Sequence, residues 1–406
     1  MPPGPRGNRL SSSCSLKVAR RLGTFARLVR ERVRSWGVVG AVPRLAAVGL
    51  VVFAILYVLF ISTPPDEAGG GNWRTTNFGS AVHDPDSFLR VLLDALTFAG
   101  LLFIVASGFS LIFGLMRVVN MAHGSFYLLG GYIAYEVQQE MNPEGLGYSL
   151  QPFQVTTWEW VLPLLVTVGS IGLFGLGVQQ LLLRWNQGQD LRQALITIAV
   201  SVIVADQVIA HFPRHVVAGS PKFGGNAVSI AWPGWTNRFV DLKVFGIEYS
   251  LARLTMLALG VLVGIALWLW LYRTKTGMVI RAGVDDRQMT SALGINIQKV
   301  FAIAFVVGAG LAAFGAVIGT SQGNVAQLQD GQWLLNSLVV VIVGGMGSLL
   351  GAVAGSLLYG LVLMFSSAYL PTVGNDCCTQ YSIVFTFVLM ALVLAFRPQG
   401  LFGRAA

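Results

Sequence analysis

The sequence predicts an all-α polytopic membrane protein of about ten transmembrane segments, some of them short or broken. Runs of apolar residues recur at 45–62, 90–115, 160–183, 193–212, 251–272, 300–320, 349–370 and 381–396. A helix needs about 20 such residues to cross a bilayer core. Hydrophobic residues make up 54% of the chain and charged residues only 11%, so little of it is suited to water. The runs are continuous rather than alternating with period two, which excludes the lipid-facing strands of a barrel. Helices and closed barrels are the backbones that satisfy their hydrogen bonds in lipid, so helices remain. With 406 residues and short connections, one membrane domain is expected rather than several soluble ones.

The net charge of +9 is gathered at the start. Residues 1–44 hold ten basic residues against Glu31 alone, and the remainder sums to zero. Basic residues flanking a first span stay on the cytoplasmic side, so 1–44 reads as a basic cytoplasmic extension. Leu22, Phe25, Val29, Val33 and Trp36 recur at near-helical spacing, which suits an interfacial helix on anionic headgroups; a disordered basic tail is the other reading. No short apolar region precedes a small-residue cleavage pattern, so 45–62 is expected to remain as an anchor. Cys14 lies in the basic tail, and Cys377 and Cys378 sit side by side in a polar loop. That is too sparse for a disulfide framework and leaves a vicinal disulfide or two free thiols.

Counting spans from a cytoplasmic N-terminus puts 63–89 outside with Asp66, Glu67, Asp84 and Asp86, and 139–159 outside with Glu140, Glu144 and Glu159. Arg117, the 184–192 turn with Arg184 and Arg192, and the tail with Arg397 and Arg404 fall inside. The loop 213–250 falls outside and is mixed in charge; Trp232 and Trp235 there suit an interfacial belt. Both termini are thus expected in the cytoplasm.

Two segments depart from the ideal. Residues 334–346 give 13 residues before Gly344, Gly345 and Gly347, too few for a hydrocarbon core of about 30 Å. Residues 119–138 begin with Asn120 and His123 and contain Gly124, Gly130 and Gly131. Each is expected to be a broken or tilted helix, tolerated where protein or water covers the loose backbone. The two also look alike, HGSFYLLGGY at 123–132 against MGSLLGAVAG at 346–355. An internal inverted repeat is one reading of this and chance glycine-rich similarity the other. Paired interrupted segments point to a translocation path in repeat-built transporters.

Enzyme chemistry is not expected. No phosphate-binding Gly-x-x-x-x-Gly-Lys-Ser/Thr loop occurs. His83, His123, His211 and His215 are scattered away from the cysteines, so no metal site is expected. Of the intramembrane ionisable candidates, Asp94, Asp206 and His123, both carboxylates fall near the outer ends of their spans, where a structural role is favoured. Few buried carboxylates argue against ion-coupled transport, so the driving energy is expected from another chain. Neither a cofactor on this chain nor a nucleic-acid partner is expected.

The docking surface for such a chain is the island 273–299, which carries Arg273, Lys275, Arg281, Asp285, Asp286, Arg287 and Lys299 between two apolar spans. It falls on the cytoplasmic side, with helix-forming spacing from Gly277 to Leu293. GFSLIFGLMRVVNMAHGSFYLLGGYIAY at 108–135 resembles the branched-chain amino-acid (Liv-type) ABC-transporter permeases. TGMVIRAGVDDRQMTSALGINIQKVFAIAFVVGAGLAAFGAVI at 276–318, VVVIVGGMGSLLGAVAGSLLYG at 339–360 and FRPQGLFGR at 396–404 are similar to the same family, in the same order. The blocks cover most of 90–404, the expected permease domain; residues 1–62 fit less well.

The resemblance implies a bacterial inner-membrane permease subunit that passes small amino acids, branched-chain ones first, from a periplasmic binding protein to the cytoplasm. It implies a second homologous permease or a second copy of this chain, and two cytoplasmic ATPase subunits. Its coupling helix would be about Thr276–Leu293, with Gly277, Arg281, Ala282, Asp285, Leu293 and Gly294 as coupling residues, Gly277 and Gly294 bounding the helix. Path residues are expected at Asn120, His123, Gly124, Gln322, Asn324, Gly344 and Gly345, with Gln322, Asn324, Gln329 and Gln332 placed at the outer mouth; capping of the helix at the break is an equal reading for Asn120 and His123, and solvated loop an equal reading for the four amides. Urea, short amides or a passive small-solute channel are the alternatives.

Overall fold

The longest helix among the described residues, α1 (Pro85–Met116), forms the axis of the bundle. The computed structural model of this chain describes residues 85–142, 155–186, 188–211, 228–242, 247–369 and 382–402. The expectations for 1–84, for Cys377 and Cys378 and for Arg404 lie outside these residues. After α1 come α2 (His123–Met141), α3 (Thr157–Gly177), α4 (Asp190–His211), and a hairpin of β1 (Phe239–Leu242) with β2 (Ile247–Ser250). Then follow α5 (Leu251–Arg273), α6 (Lys275–Asp285), α7 (Arg287–Ala292), α8 (Ile297–Gln322), α9 (Asp330–Gly344), α10 (Leu349–Tyr369) and α11 (Ser382–Phe396).

Six of the helical stretches described are long and apolar enough to cross a membrane, and α9 and α11 are shorter apolar helices. The chain is an all-α polytopic membrane protein. Burial separates the helices by role. The most apolar windows of α1 and α8 are 78% and 72% buried, while those of α4 and α5 are 22% buried. The first pair is therefore the core of the bundle, and the second presents its apolar surface outward.

Helices in lipid gain little from hydrophobic exclusion between themselves and associate where small residues let backbones approach. Gly108 on α1 meets Gly308 on α8, and Gly100 on α1 meets Gly260 on α5. A Cβ at Gly260 would sit 2.9 Å from the Gly100 Cα. Around these crossings Val105, Ile112, Phe126, Phe305 and Ala309 pack into one cluster, and Leu102, Phe109, Val340 and Tyr359 into another.

Several elements differ from their sequence expectations. The break before α2 is the non-helical stretch 117–122; Gly124, Gly130 and Gly131 lie inside a continuous helix, where they permit close packing rather than a break. The short segment expected at 334–346 begins four residues earlier and is a helix of 15 residues. The span expected at 160–183 begins at Thr157, under a capping box of Thr156 and Glu159, and ends through a π-helical turn at Val178–Leu183 and a 3₁₀ turn to Asn186.

The loop expected at 213–250 is more built than its mixed composition suggests, because its backbone finds partners on the bundle. Val228 and Val325 exchange backbone hydrogen bonds of 2.8 and 2.9 Å, and Ala231 N donates to Gln138 Oε1 at 2.8 Å. Trp232 is buried and stacks on Trp160 with centroids 5.3 Å apart, while Trp235 stays half-exposed. Trp232 therefore serves packing rather than an interfacial belt. This strap and the β-hairpin mark one end of the bundle, the hairpin end; the charged island marks the other, the island end.

The hairpin end is pinned by Asp94. Its carboxylate accepts from the Arg253 guanidinium and from the Tyr249 hydroxyl at 2.7 Å, tying α1 to β2 and α5. Burial pushes the Tyr249 phenol up to about 12.

Candidate functional site

Two opposed helices, α2 and α9, start against each other within the bundle. The His123 Nε2 lies 3.0 Å from the carbonyl of Val105, which is central in α1, so α2 starts within the bundle. From there α2 runs to the hairpin end, where Gln138 meets the strap. In the opposite sense α9 runs to the island end, where Phe402 N donates to Gly344 O at 2.8 Å. Their starts abut. Gly124 lies against the Asp330 carbonyl, and a Cβ there would stand 2.9 Å from the Asp330 carbonyl carbon and 3.0 Å from Leu334 Cβ. One turn further, Tyr127 stacks on Trp333 with centroids 4.0 Å apart. Opposed interrupted helices at mid-depth are the arrangement in which transporters place solute sites.

Polar side chains collect at this junction. Asp330 opens α9, Ser125 is the third residue of α2, and Ser201 stands halfway along the 22-residue α4. Asp330 Oδ2 accepts from Ser125 Oγ at 3.4 Å and from Ser201 Oγ at 3.3 Å, and the two hydroxyls are 2.8 Å apart. Just before it, Asn120 Oδ1 accepts from Ala122 N at 3.1 Å, and Thr197 Oγ1 accepts from Met121 N at 3.2 Å. These bonds satisfy the backbone of the break, which lipid would leave orphaned. Asn120 Nδ2 and His123 Nδ1 are buried without a partner.

The path residues expected from sequence thus separate into three places. Asn120, His123 and Gly124 belong to the mid-depth junction. Asn120 holds the backbone of the break, whereas His123 makes no capping bond and secures α2 to α1, its ring edge-on to Phe109. Gln322 and Asn324 are exposed at the hairpin end, with Val325 pinned under the strap. Gln332, expected beside them at a mouth, is instead the third residue of α9, and Gln329 is its N-cap. Gly344 and Gly345 lie at the island end, Gly345 turning at φ 110°. Asp330, Ser125 and Ser201 went unrecognised. For Asp330 the available signal was an acid just ahead of an apolar run, a first-turn position of a helix.

At the island end, the segment expected to be one coupling helix is two helices. Asp286 divides it, its Oδ1 accepting from Met289 N at 2.9 Å as the cap of α7. Thr274 starts α6, its Oγ1 accepting from Gly277 N at 3.1 Å. Gly277 therefore does not bound the helix. It is buried inside it, where a Cβ would come 2.5 Å from Leu271 Cα, so the tight α5–α6 elbow requires glycine. Gly294 does end α7, at φ 81°. Arg281 turns back, its guanidinium 4.3 Å over the Tyr272 ring. What faces outward is Ala282, Asp285 and Leu293, together with Met278 and Met289.

Beneath that outward face, Ile280 packs with Leu115, Leu271, Val300 and Phe301. Val284 touches the close pair Gly114 and Gly347, so α6 adjoins the turn that follows α9.

A bundle of lipid-length helices enclosing two opposed half-helices defines a polytopic protein of transporter build. The family model described as "Branched-chain amino acid transport system / permease component" matches residues 91–394, and the chain belongs to that family of permeases. It is 27% identical to the LivH permease of the high-affinity branched-chain amino acid transport system of Salmonella typhimurium, over 78% of this chain and 96% of that protein. It is 29% identical to BraD of Pseudomonas aeruginosa over the same shares, and 25% identical to LivM of Salmonella typhimurium over 79% of this chain and 72% of that one. Among solved structures, PsaBC from Streptococcus pneumoniae in complex with Fab aligns over 78% of this chain at a TM-score of 0.41 and 10% identity, too distant to inform the fold.

Proposed function

We propose that this chain is the membrane-spanning permease subunit of an ATP-binding-cassette importer that carries branched-chain amino acids from a periplasmic binding protein into the cytoplasm. The observation that carries this reading is the α6–α7 element in a chain of this family. Met278 is 50% exposed, Met289 62% and Leu293 74%, so large apolar side chains stand out of an otherwise charged segment. Exposed apolar surface of this kind marks a protein interface, and a flexible methionine can fill an uneven groove. The occupant proposed for that groove is a cytoplasmic ATPase subunit, two of which would serve the complex.

The element is also placed to transmit movement. Pressure on α6 would reach α1 through Leu115 and the end of α9 through Val284 and Gly347. The Lys/Arg bias puts the island end in the cytoplasm and the hairpin end, with its strap, toward the binding protein on the outside. LivH and LivM are each printed as permeases of one kind of system, and similarity to both supports a second, homologous permease as partner. The outward apolar surfaces of α4 and α5 are available to that partner and to lipid.

Leucine uptake by right-side-out vesicles holding the whole complex tests the reading. Uptake should require internal ATP, and undiminished uptake without ATP would overturn it in favour of a passive channel. The double change Met278→Asp with Leu293→Asp should lower ATP-dependent uptake at least tenfold while the permease still inserts. Normal uptake by that variant would remove the docking role.

A further inference from the structure

We infer that Asp330, with Ser125 and Ser201, forms a mid-depth site for the ammonium group of a zwitterionic amino acid passing through the permease; the inference rests on the amino-acid reading above. An ionisable group at membrane depth is costly, and such groups face a bundle interior or a water-filled path with a partner at hand. Asp330 has no cationic partner among the described residues, because the ion pair found there joins Arg253 to Asp94. Its Oδ2 faces the two serine hydroxyls, one of which can donate to it while the other donates within the pair, and Oδ1 has no protein donor among the described residues. The carboxylate is half-buried, next to Gly331 and Gln332, which are exposed. A carboxyl in that position is open to a cation that comes and goes.

The neighbouring groups narrow the chemistry. The one hydrogen bond of the His123 ring runs from Nε2 to a carbonyl, which can only accept, so Nε2 carries the proton. A neutral imidazole then leaves Nδ1 as a bare acceptor, and Nδ1 is buried without a partner at the same helix start. Asn120 Nδ2, a buried donor without a partner, suits an acceptor such as a carboxylate. The two helix starts add about half a positive charge each, and the Asp330 carboxyl stands at one of them. A site that offers both acceptors and a donor favours a zwitterion over a simple anion or cation.

Leucine uptake by the complete transporter in proteoliposomes, compared between wild type, Asp330→Asn and Asp330→Glu, tests this. Asp330→Asn should lose at least tenfold in uptake per assembled complex with its thermal midpoint kept, and Asp330→Glu should recover a substantial part by restoring the charge. Uptake by Asp330→Asn within twofold of wild type would overturn the inference. So would equal losses in both variants accompanied by a lowered thermal midpoint, which is the mark of a structural role. If the wild-type complex itself takes up no leucine with ATP, the reading of the function fails instead, and the two failures are distinguished.

Discussion

At the hairpin end, Asp94 of α1 meets the Arg253 guanidinium and the Tyr249 hydroxyl; at mid-depth, Asp330 of α9 meets, among the described residues, only the hydroxyls of Ser125 and Ser201. Both carboxylates lie on apolar helices, yet among the described residues one has a cationic side chain beside it and the other does not. A paired carboxylate joins elements together, as Asp94 joins α1 to α5. A carboxylate that meets hydroxyls at a helix start is open to a passing cation, which is the role inferred for Asp330. Position along the chain did not separate them. The presence or absence of a cation across the helix interface did.

The contrast can be broken from the Asp330 side without altering its charge. Gly124→Leu would force a side chain against the Asp330 backbone and Leu334, and overpacking of this kind costs about 1–3 kcal/mol. The two half-helix starts should separate, with uptake lost and the thermal midpoint of the detergent-solubilised protein lowered. An unchanged midpoint would mean that the junction is not closely packed.

A smaller effect is expected at the other carboxylate. Asp94→Asn should cost about 1 kcal/mol or less, because both partners are partly exposed and the pair is screened. Uptake per folded molecule should stay within twofold of wild type, and the exchange Asp94→Arg with Arg253→Asp should recover stability lost by either single change. A tenfold loss of uptake in stable Asp94→Asn would erase the distinction between the two sites.

The smallest effect concerns pH. The Tyr249 phenol is raised from 10.0 to about 12, first by burial and also by the adjacent Asp94 carboxylate. A group whose folded value lies above its unfolded one supports folding fully below the unfolded value, and that support fades as pH rises through the folded one. Stability at the hairpin end should therefore decline between about pH 10 and 12, and Tyr249→Phe should flatten that part of the profile. Thermal midpoints across this range would reveal an unaltered slope if Tyr249 titrates freely.

Much of the bundle was legible in the linear sequence. The spans 90–115, 193–212, 251–272, 300–320 and 349–370 return as helices with ends shifted by a few residues, because lipid demands length and apolarity, and both are local properties. The two irregular segments were also visible, since short length and interruption can be counted. Other features depended on distant partners. The split at Asp286 arises because one side chain caps the next helix, and Gly277 is needed because Leu271 stands against it. The inward turn of Arg281 follows from Tyr272 lying beneath it.

By itself, then, the sequence determined that this is a polytopic helical membrane protein of the branched-chain permease kind, with a polar island between two spans and two interrupted segments. It did so because hydrophobic length, charge bias and contiguous motifs are carried residue by residue along the chain. Only the tertiary structure decided that the interrupted segments meet start to start, that Asp330 joins Ser125 and Ser201 there, and that Met278, Met289 and Leu293 face outward from the island while Arg281 folds back over Tyr272. Residues 125, 201 and 330 come from three helices, and nothing local to any one of them records the other two.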